Sequence, residues 1–170
     1  YTMIKVAICD DDIQFIYKLE QSIFRFAEMK RIKVDVDGYT SGAEFIQKLQ
    51  QSERYDLLFL DIELGDSSGI IVGNWIRSQI QYESMQIVFV SAKEMYAMQL
   101  FDLRPMNFLV KPIQQERVDY ILDEYERLYQ FQPHIIEIGK GRNSIRIEEH
   151  SVFYLQSLAR KIQVVTANDT

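Results

Sequence analysis

Up to about residue 129 the chain alternates between two rhythms of apolar and polar positions. Four short continuous apolar runs, residues 3–8, 57–60, 87–90 and 108–110, read as strands buried on both faces. Between the runs the apolar residues are spaced as on helices. Phe15, Ile16, Leu19, Ile23, Phe26 and Ala27 recur every three or four positions and predict a first amphipathic helix. Residues 33–37 (Lys-Val-Asp-Val-Asp) alternate singly, which predicts an edge strand with one wet face. Thr40 or Ser41 can cap a second helix with Phe45, Ile46 and Leu49 on its inner side. Turn chemistry at 65–69 leads into a third helix carrying Ile71, Val72, Trp75 and Ile76. A fourth helix is predicted over about 93–102, and a fifth over about 114–129 with Val118, Ile121, Leu122, Tyr125, Leu128 and Tyr129 at helical spacing.

Five strands alternating with five helices imply an α/β fold, a parallel sheet covered on both faces. Right-handed crossovers leave few topologies. The edge character of the second strand selects a flavodoxin-like, doubly wound five-stranded sheet of order 2-1-3-4-5. After residue 130 the pattern changes. A short linker at 131–133 ends in Pro133, and strand candidates at 134–138, 144–147, 152–155 and 162–165 follow with no helix between them. Gly and Asn at 139–143 mark a turn. This piece has too little core to stand alone, so it reads as a truncated, mostly β segment of a second domain.

The strand ends carry the chemistry. The first run leads through Cys9 into Asp10, Asp11 and Asp12, the second into Asp61, the third into Ser91, and the fourth into Lys111 and Pro112. In an open α/β sheet ligands bind outside the carboxyl ends of the strands, beside the switch point between strands one and three. Three carboxylates, a hydroxyl and an ammonium therefore converge there. An aspartate is a competent nucleophile toward phosphorus, and the transfer is driven by positioning and charge neutralisation. Packed carboxylates repel one another unless a cation joins them. Mg²⁺ suits an all-oxygen set of this kind. Taken singly, each end has a plainer reading: Asp12 and Ser91 as helix caps, Lys111-Pro112 as a turn. Taken together they form a site.

Composition narrows the partners. The net charge of −6 argues against a chain that binds nucleic acid over its whole surface. Residues 130–170 carry one net positive charge, which leaves −7 on the part holding the carboxylates. No apolar stretch is long enough to span a bilayer, and no secretory signal is seen, so a cytoplasmic protein without membrane contact is expected. Cys9 stands alone inside an apolar run, which predicts a buried, inert thiol. His134 and His150 have no Cys or His at metal-ligand spacing, and no Gly-rich phosphate-cradling loop occurs.

The chain resembles two-component response regulators over residues 3–130, as their receiver domain. The likeness rests on Ile8-Cys-Asp-Asp-Asp12, on Leu60-Asp-Ile-Glu-Leu-Gly-Asp-Ser-Ser-Gly69, on Val90-Ser-Ala92 and on Phe108-Leu-Val-Lys-Pro112. The resemblance implies that Asp61 accepts a phosphoryl group from a sensor histidine kinase. It implies Mg²⁺ held by Asp10, Asp11, Asp61 and the backbone carbonyl of Glu63. Ser91 and Lys111 would bind the phosphoryl oxygens, Phe108 would be the switch aromatic, and the Lys111-Pro112 bond would be cis. Gly65 departs from the family, which commonly has proline there. Such a domain is no turnover enzyme; it would self-phosphorylate from small donors with Mg²⁺ and slowly lose the group again.

Residues 134–170 resemble the opening of a LytTR-type DNA-binding domain, on residues 136–145 and 151–157. By position Arg160, Lys161 and Gln163 would face promoter DNA, in the complete domain. Two new charge-assisted bonds, from Ser91 and Lys111, would supply roughly 3–6 kcal/mol. Shifting a population from 1:99 to 99:1 takes about 5.5 kcal/mol. Phosphorylation is therefore expected to pull Ser91 toward Asp61, let Phe108 move inward, and promote homodimerisation through the fourth helix, fifth strand and fifth helix. Two other readings exist: a haloacid-dehalogenase-type phosphatase using Asp10, and a receiver-shaped module that works without phosphorylation. The phosphatase would need a further acidic pair after the lysine and would leave Asp61 idle.

Overall fold

The computed structural model describes residues 3–79 and 82–130, together with four later strands at 135–138, 145–148, 152–158 and 161–166. Five parallel strands form one sheet in the order β2-β1-β3-β4-β5: β1 Ile4–Cys9, β2 Val34–Tyr39, β3 Leu57–Asp61, β4 Gln86–Ser91 and β5 Asn107–Val110. The helices are α1 Ile13–Lys30, α2 Gly42–Gln50, α3 Gly69–Arg77, a 3₁₀ helix Glu94–Leu103, and α4 Gln115–Tyr125, which continues in wider π winding over Glu126–Gln130. The predicted order holds. The continuous runs are strands for the expected reason, since every residue of β3 is buried. Ala7, Cys9, Leu58, Leu60, Ile87 and Phe89 share one core with Phe45 and Leu49 of α2 and Val72 and Ile76 of α3. Alternation along each strand leaves Val6, Ile8, Leu57, Phe59 and Val88 for the opposite face.

Capping residues set the starts of the helices. Asp12 accepts the amides of Gln14 and Phe15 at α1, and Ser41, rather than Thr40, accepts that of Glu44 at α2. Three details differ from the pattern read along the chain. Ile71 is 63% exposed, and Ile70 packs on the core instead, because α3 turns Gly69, Val72, Gly73 and Ile76 inward. The fourth helix is a 3₁₀ helix. Its buried residues Leu100 and Leu103 are three apart, Met95, Met98 and Phe101 form an exposed row with the same period, and Lys93 gives no side-chain cap. Finally, β2 is an edge strand but has no fully wet face: Val34 through Asp37 are all half-buried, and Asp37 accepts a hydrogen bond from the Tyr55 hydroxyl.

The chain divides into two compact units, Tyr1–Glu124 and Tyr125–Thr170. In the second, β6 Ile135–Ile138 pairs antiparallel with β7 Ile145–Glu148, and β8 Val152–Leu158 with β9 Lys161–Thr166. The strand candidates of the tail thus form two hairpin-like pairs. The expected linker 131–133, the turn 139–143 and Arg160 lie outside the described residues. Among the described residues no helix is long and apolar enough to cross a membrane.

Candidate phosphoryl site at the strand ends

The register of the sheet brings the strand ends into line. Cys9 pairs with Leu60, Asp61 with Val90, and Ser91 with Val110, so Asp10, Asp61, Ser91 and Lys111 emerge at one edge. Backbone bonds hold these exits: Asp10 N–H donates to the Tyr39 carbonyl, Ile62 N–H to Val90, and Lys111 N–H to Ser91. The Lys111-Pro112 peptide is cis.

Lys111 is the hub. Its Nζ lies 2.9 Å from Asp61 Oδ2 and 2.6 Å from Asp10 Oδ2. The first contact is an aligned hydrogen bond, whereas the second is an ion pair whose angles do not suit one. Asp10 Oδ2 therefore keeps a buried lone pair with no aligned donor, while Oδ1 accepts the Asp12 amide at 2.9 Å. Asp61 Oδ1 accepts the Glu63 amide at 3.2 Å. Asp10, Asp61 and Ser91 are buried, Asp11 is exposed, and Asp10, Asp11 and Asp61 each offer one oxygen, all within 4.8 Å of one another. Three carboxylate oxygens this close together, two of them on buried side chains, are an all-oxygen set that fits a hard divalent cation.

The electrostatics match this geometry. Burial raises the Asp10 pKa above the ordinary carboxylate value, partly offset by Lys111 and the Asp12 amide. For Lys111 burial alone would lower the pKa, but its close contacts with the Asp10 and Asp61 carboxylates and their attraction outweigh it and hold the ammonium above the usual lysine range. The ammonium also stands over the Phe15 ring, 4.3 Å from its centroid. Burial pushes the Cys9 thiol up, in keeping with an inert residue.

The Ser91 hydroxyl is hydrogen-bonded neither to the two carboxylates nor to the Lys111 ammonium. Its Oγ accepts the Lys93 amide at 3.0 Å, so the hydroxyl caps the following turn and keeps its own proton to donate elsewhere. Phe108 is half-buried against the core beneath, paired with Phe89 across β4 and β5. Four further features were not legible in the sequence. Lys93 pairs with the Glu63 carboxylate at 2.5 Å and bridges the ends of β4 and β3, with the Tyr96 hydroxyl 3.4 Å from the same oxygen. Asp66 accepts amides of α2, and those bonds hold its carboxyl below the ordinary range. Gly69 lies so close to Asp61 that a Cβ there would stand 2.0 Å from the Asp61 carbonyl oxygen. A half-open groove of about 360 Å³ runs beside Lys111, floored by Phe15, Leu19, Ile113 and Val118. Nothing local signals these features, since each depends on how separate elements of the fold pack together.

Residues 6–123 match the family model of the response regulator receiver domain, over more than two thirds of the chain. The chain belongs to the response regulator receiver domain family. That decides in favour of the receiver reading over the phosphatase one, and a receiver domain of a response regulator is not an enzyme in the ordinary sense.

The receiver domain has named relatives. Over 151 residues the chain is 29% identical to the sensory transduction protein LytT of Bacillus cereus, covering 88% of this chain and 58% of the relative. It is 30% identical over 126 residues to the sensory transduction protein LytR of Streptococcus agalactiae, covering 74% and 49%. The chain thus spans about half the length of these curated relatives. The fold is shared with the response regulatory domain of MrkE from Klebsiella pneumoniae, with TM-score 0.65, 24% identity, and coverage of 76% of this chain and 100% of that one. It is likewise shared with the BeF3-activated DrrB receiver domain, with TM-score 0.59, 18% identity, and coverage of 74% and 99%.

Proposed function

We propose that this receiver domain takes a phosphoryl group on Asp61 from a sensor histidine kinase and uses it to control a DNA-binding output. The single observation that carries the reading is the Lys111 ammonium held between the buried carboxylates of Asp10 and Asp61. A charge placed there is already where phosphoryl oxygens would arrive. Asp10, Asp11 and Asp61, with the backbone carbonyl of Glu63, are the residues that would hold Mg²⁺. When bound, Mg²⁺ supplies positive charge for the phosphoryl oxygens and relieves the repulsion among the carboxylates.

In the transfer an Asp61 carboxylate oxygen attacks phosphorus and forms a new P–O bond. The P–N bond to the donor histidine breaks, and its electron pair leaves with the imidazole. Lys111 turns from the carboxylates to a phosphoryl oxygen, and the Ser91 hydroxyl, bonded now only as an acceptor, donates to another. Phe108 then moves toward the space that Ser91 leaves. Ile13 and Tyr17, exposed one turn apart at the start of α1, offer a protein donor an apolar foothold next to Asp10–Asp12. Met95, Met98 and Phe101, with Val110 and Tyr120, expose apolar surface on the 3₁₀ helix, β5 and α4, which supports homodimerisation through that face after phosphorylation. The Arg117 guanidinium lies over the Tyr120 ring on the same face.

The domain assignment belongs to this reading: a receiver over 3–130, a linker at 131–133, and the opening of a LytTR-type DNA-binding domain over 134–170. The relatives' names, sensory transduction proteins LytT and LytR, support that output. Lys161 and Gln163 fall on β9, and they are proposed with Arg160 as contacts to promoter DNA once the domain is complete. A cytoplasmic location goes with this role.

The test is intact-mass spectrometry after incubation with acetyl phosphate and Mg²⁺. One phosphoryl adduct in the wild type, absent in Asp61→Ala and absent without Mg²⁺, is the expected result. A folded wild type that never gains the adduct would overturn the reading and leave an inert, receiver-shaped module.

A further inference from the structure

The loop between β3 and α3 contains Gly65 and no proline, so its own backbone chemistry does little to fix its shape. Contacts must do so. At its base Glu63 and Ser68 form an antiparallel bridge, and the Gly69 amide donates to the Ile62 carbonyl. At its tip the Asp66 carboxylate reaches out of the loop to the start of α2. There Oδ1 accepts the Gly42 amide at 3.1 Å and Oδ2 the Ala43 amide at 3.1 Å. Both amides belong to the first turn of a helix, where backbone donors lack partners and the helix dipole favours an anion.

The clamp matters to the site because of what the loop walls off. A Cβ added at Gly65 would stand 3.2 Å from Asp11 Oδ2, so the loop backbone packs directly against the exposed carboxylate of the metal-binding set. Glu63, whose carbonyl belongs to that set under the proposed function, lies three residues before Asp66. Gly42 is packed so tightly that a Cβ there would meet Val72 Cγ2 at 2.6 Å and Ser67 Oγ at 2.7 Å. The start of α2 is therefore a fixed point, and a bidentate carboxylate ties the loop to it.

We propose that Asp66 is a positioning residue that holds the β3–α3 loop against the start of α2, so that Asp11 and the Glu63 carbonyl stand ready for Mg²⁺. This rests on the function proposed above. Asp66 touches neither the metal nor the phosphoryl group; it acts through the loop. A plain surface cap would contribute to stability alone. A positioning residue also sets the affinity for the metal, here through the loop that packs on Asp11 and carries Glu63, by about tenfold, the low end of the range for direct partners of metal ligands.

The experiment compares the whole chain as wild type, Asp66→Ala, Asp66→Asn and Ala43→Pro. Asparagine keeps one acceptor oxygen, and proline removes the Ala43 donor at a first-turn position that tolerates it. Mg²⁺ affinity is measured by calorimetry, the fold by urea unfolding, and phosphorylation by acetyl phosphate at low and saturating Mg²⁺. The expected result is Mg²⁺ binding weakened about tenfold in Asp66→Ala, with a smaller loss in Asp66→Asn and in Ala43→Pro. Phosphorylation should then approach the wild-type rate at saturating Mg²⁺. A folded Asp66→Ala that binds Mg²⁺ within about twofold of the wild type overturns the inference while the wild type still takes up phosphate. Should Asp66→Ala fail to fold, unchanged affinity in Ala43→Pro overturns it in the same way. A wild type that neither binds Mg²⁺ nor gains an adduct brings down the proposed function as well.

Discussion

Lys111 Nζ donates to Asp61 Oδ2 at 2.9 Å, although the two residues are fifty positions apart. The same ammonium is 2.6 Å from Asp10 Oδ2, so one cation balances two buried carboxylates. Lys111→Met keeps the apolar stem and removes the charge. It should lower stability by about 1–3 kcal/mol, since two buried acceptors lose their counter-charge. Phosphorylation by acetyl phosphate should slow at least about tenfold. Urea unfolding and timed mass spectra check both; a variant as stable and as reactive as the wild type contradicts the role.

Asp10 carries the opposite trade. Burial holds its pKa above the ordinary 3.8, so the folded state binds its proton more readily than the unfolded state does. Its contribution to stability is therefore fully present below 3.8 and is lost as pH rises through the folded pKa. At neutral pH and without Mg²⁺, Asp10→Asn should raise the unfolding midpoint, by a few degrees for a gain of about 1 kcal/mol. It should abolish Mg²⁺-dependent phosphorylation. Saturating Mg²⁺, at about a hundredfold above its dissociation constant, should add about 2.7 kcal/mol to the wild type and almost nothing to the variant. Thermal unfolding between pH 3 and 7, with and without Mg²⁺, reads the two stability effects, and mass spectra after acetyl phosphate read the phosphorylation.

Gly69 permits the close approach of α3 to the acceptor strand. A Cβ there would be 2.0 Å from the Asp61 carbonyl oxygen, and the obstacle is backbone rather than a flexible side chain. Gly69→Ala should cost about 3 kcal/mol or more and displace Asp61. Denaturation and the phosphoryl adduct should both show the loss, whereas Ile71→Ala, on the exposed side of the same helix, should leave both nearly unchanged.

Lys93 and Glu63 form an exposed pair across the ends of β3 and β4. Lys93→Ala should leave stability close to that of the wild type, because an exposed ion pair contributes little. Opening that side of the site to water should speed the loss of the phosphoryl group. The decay of the adduct after removal of donor measures it, and an unchanged half-life would show that the pair does not screen the site.

Phe101 and Met98 are each 86% exposed. Phe101→Asp should therefore leave the unfolding free energy within about 0.5 kcal/mol of wild type. It should weaken association of the phosphorylated chain in sedimentation at high concentration, while the unphosphorylated chain sediments unchanged.

Much of the site was legible because strand ends are local statements. An apolar run that stops at Asp10, Asp61, Ser91 or Lys111 names both the strand and the group at its tip, and strict alternation with helices forces those tips to one edge. The capping role of Asp12 was equally visible, since a cap and its amides are neighbours in sequence. Helix faces were less so. Ile71 and Ile70 are both apolar, and only the packing of Gly69, Val72 and Gly73 against the sheet decided which of them turned inward. The 3₁₀ winding of Glu94–Leu103 was hidden for a similar reason, because a three-residue apolar period over ten positions also fits an α-helix.

By itself, then, the sequence determined the sheet, its order and the four groups that meet at its edge, since period, run length and strand-end chemistry are properties of contiguous residues. The tertiary structure decided how those groups are balanced. That Lys111 shares itself between Asp10 and Asp61, that Lys93 closes on Glu63 and that Asp66 ties its loop to α2 all depend on distances between residues far apart in the chain. Such contacts arise only once burial has fixed the strands in register, because the free energy that orders them comes from the core and not from the pairs themselves.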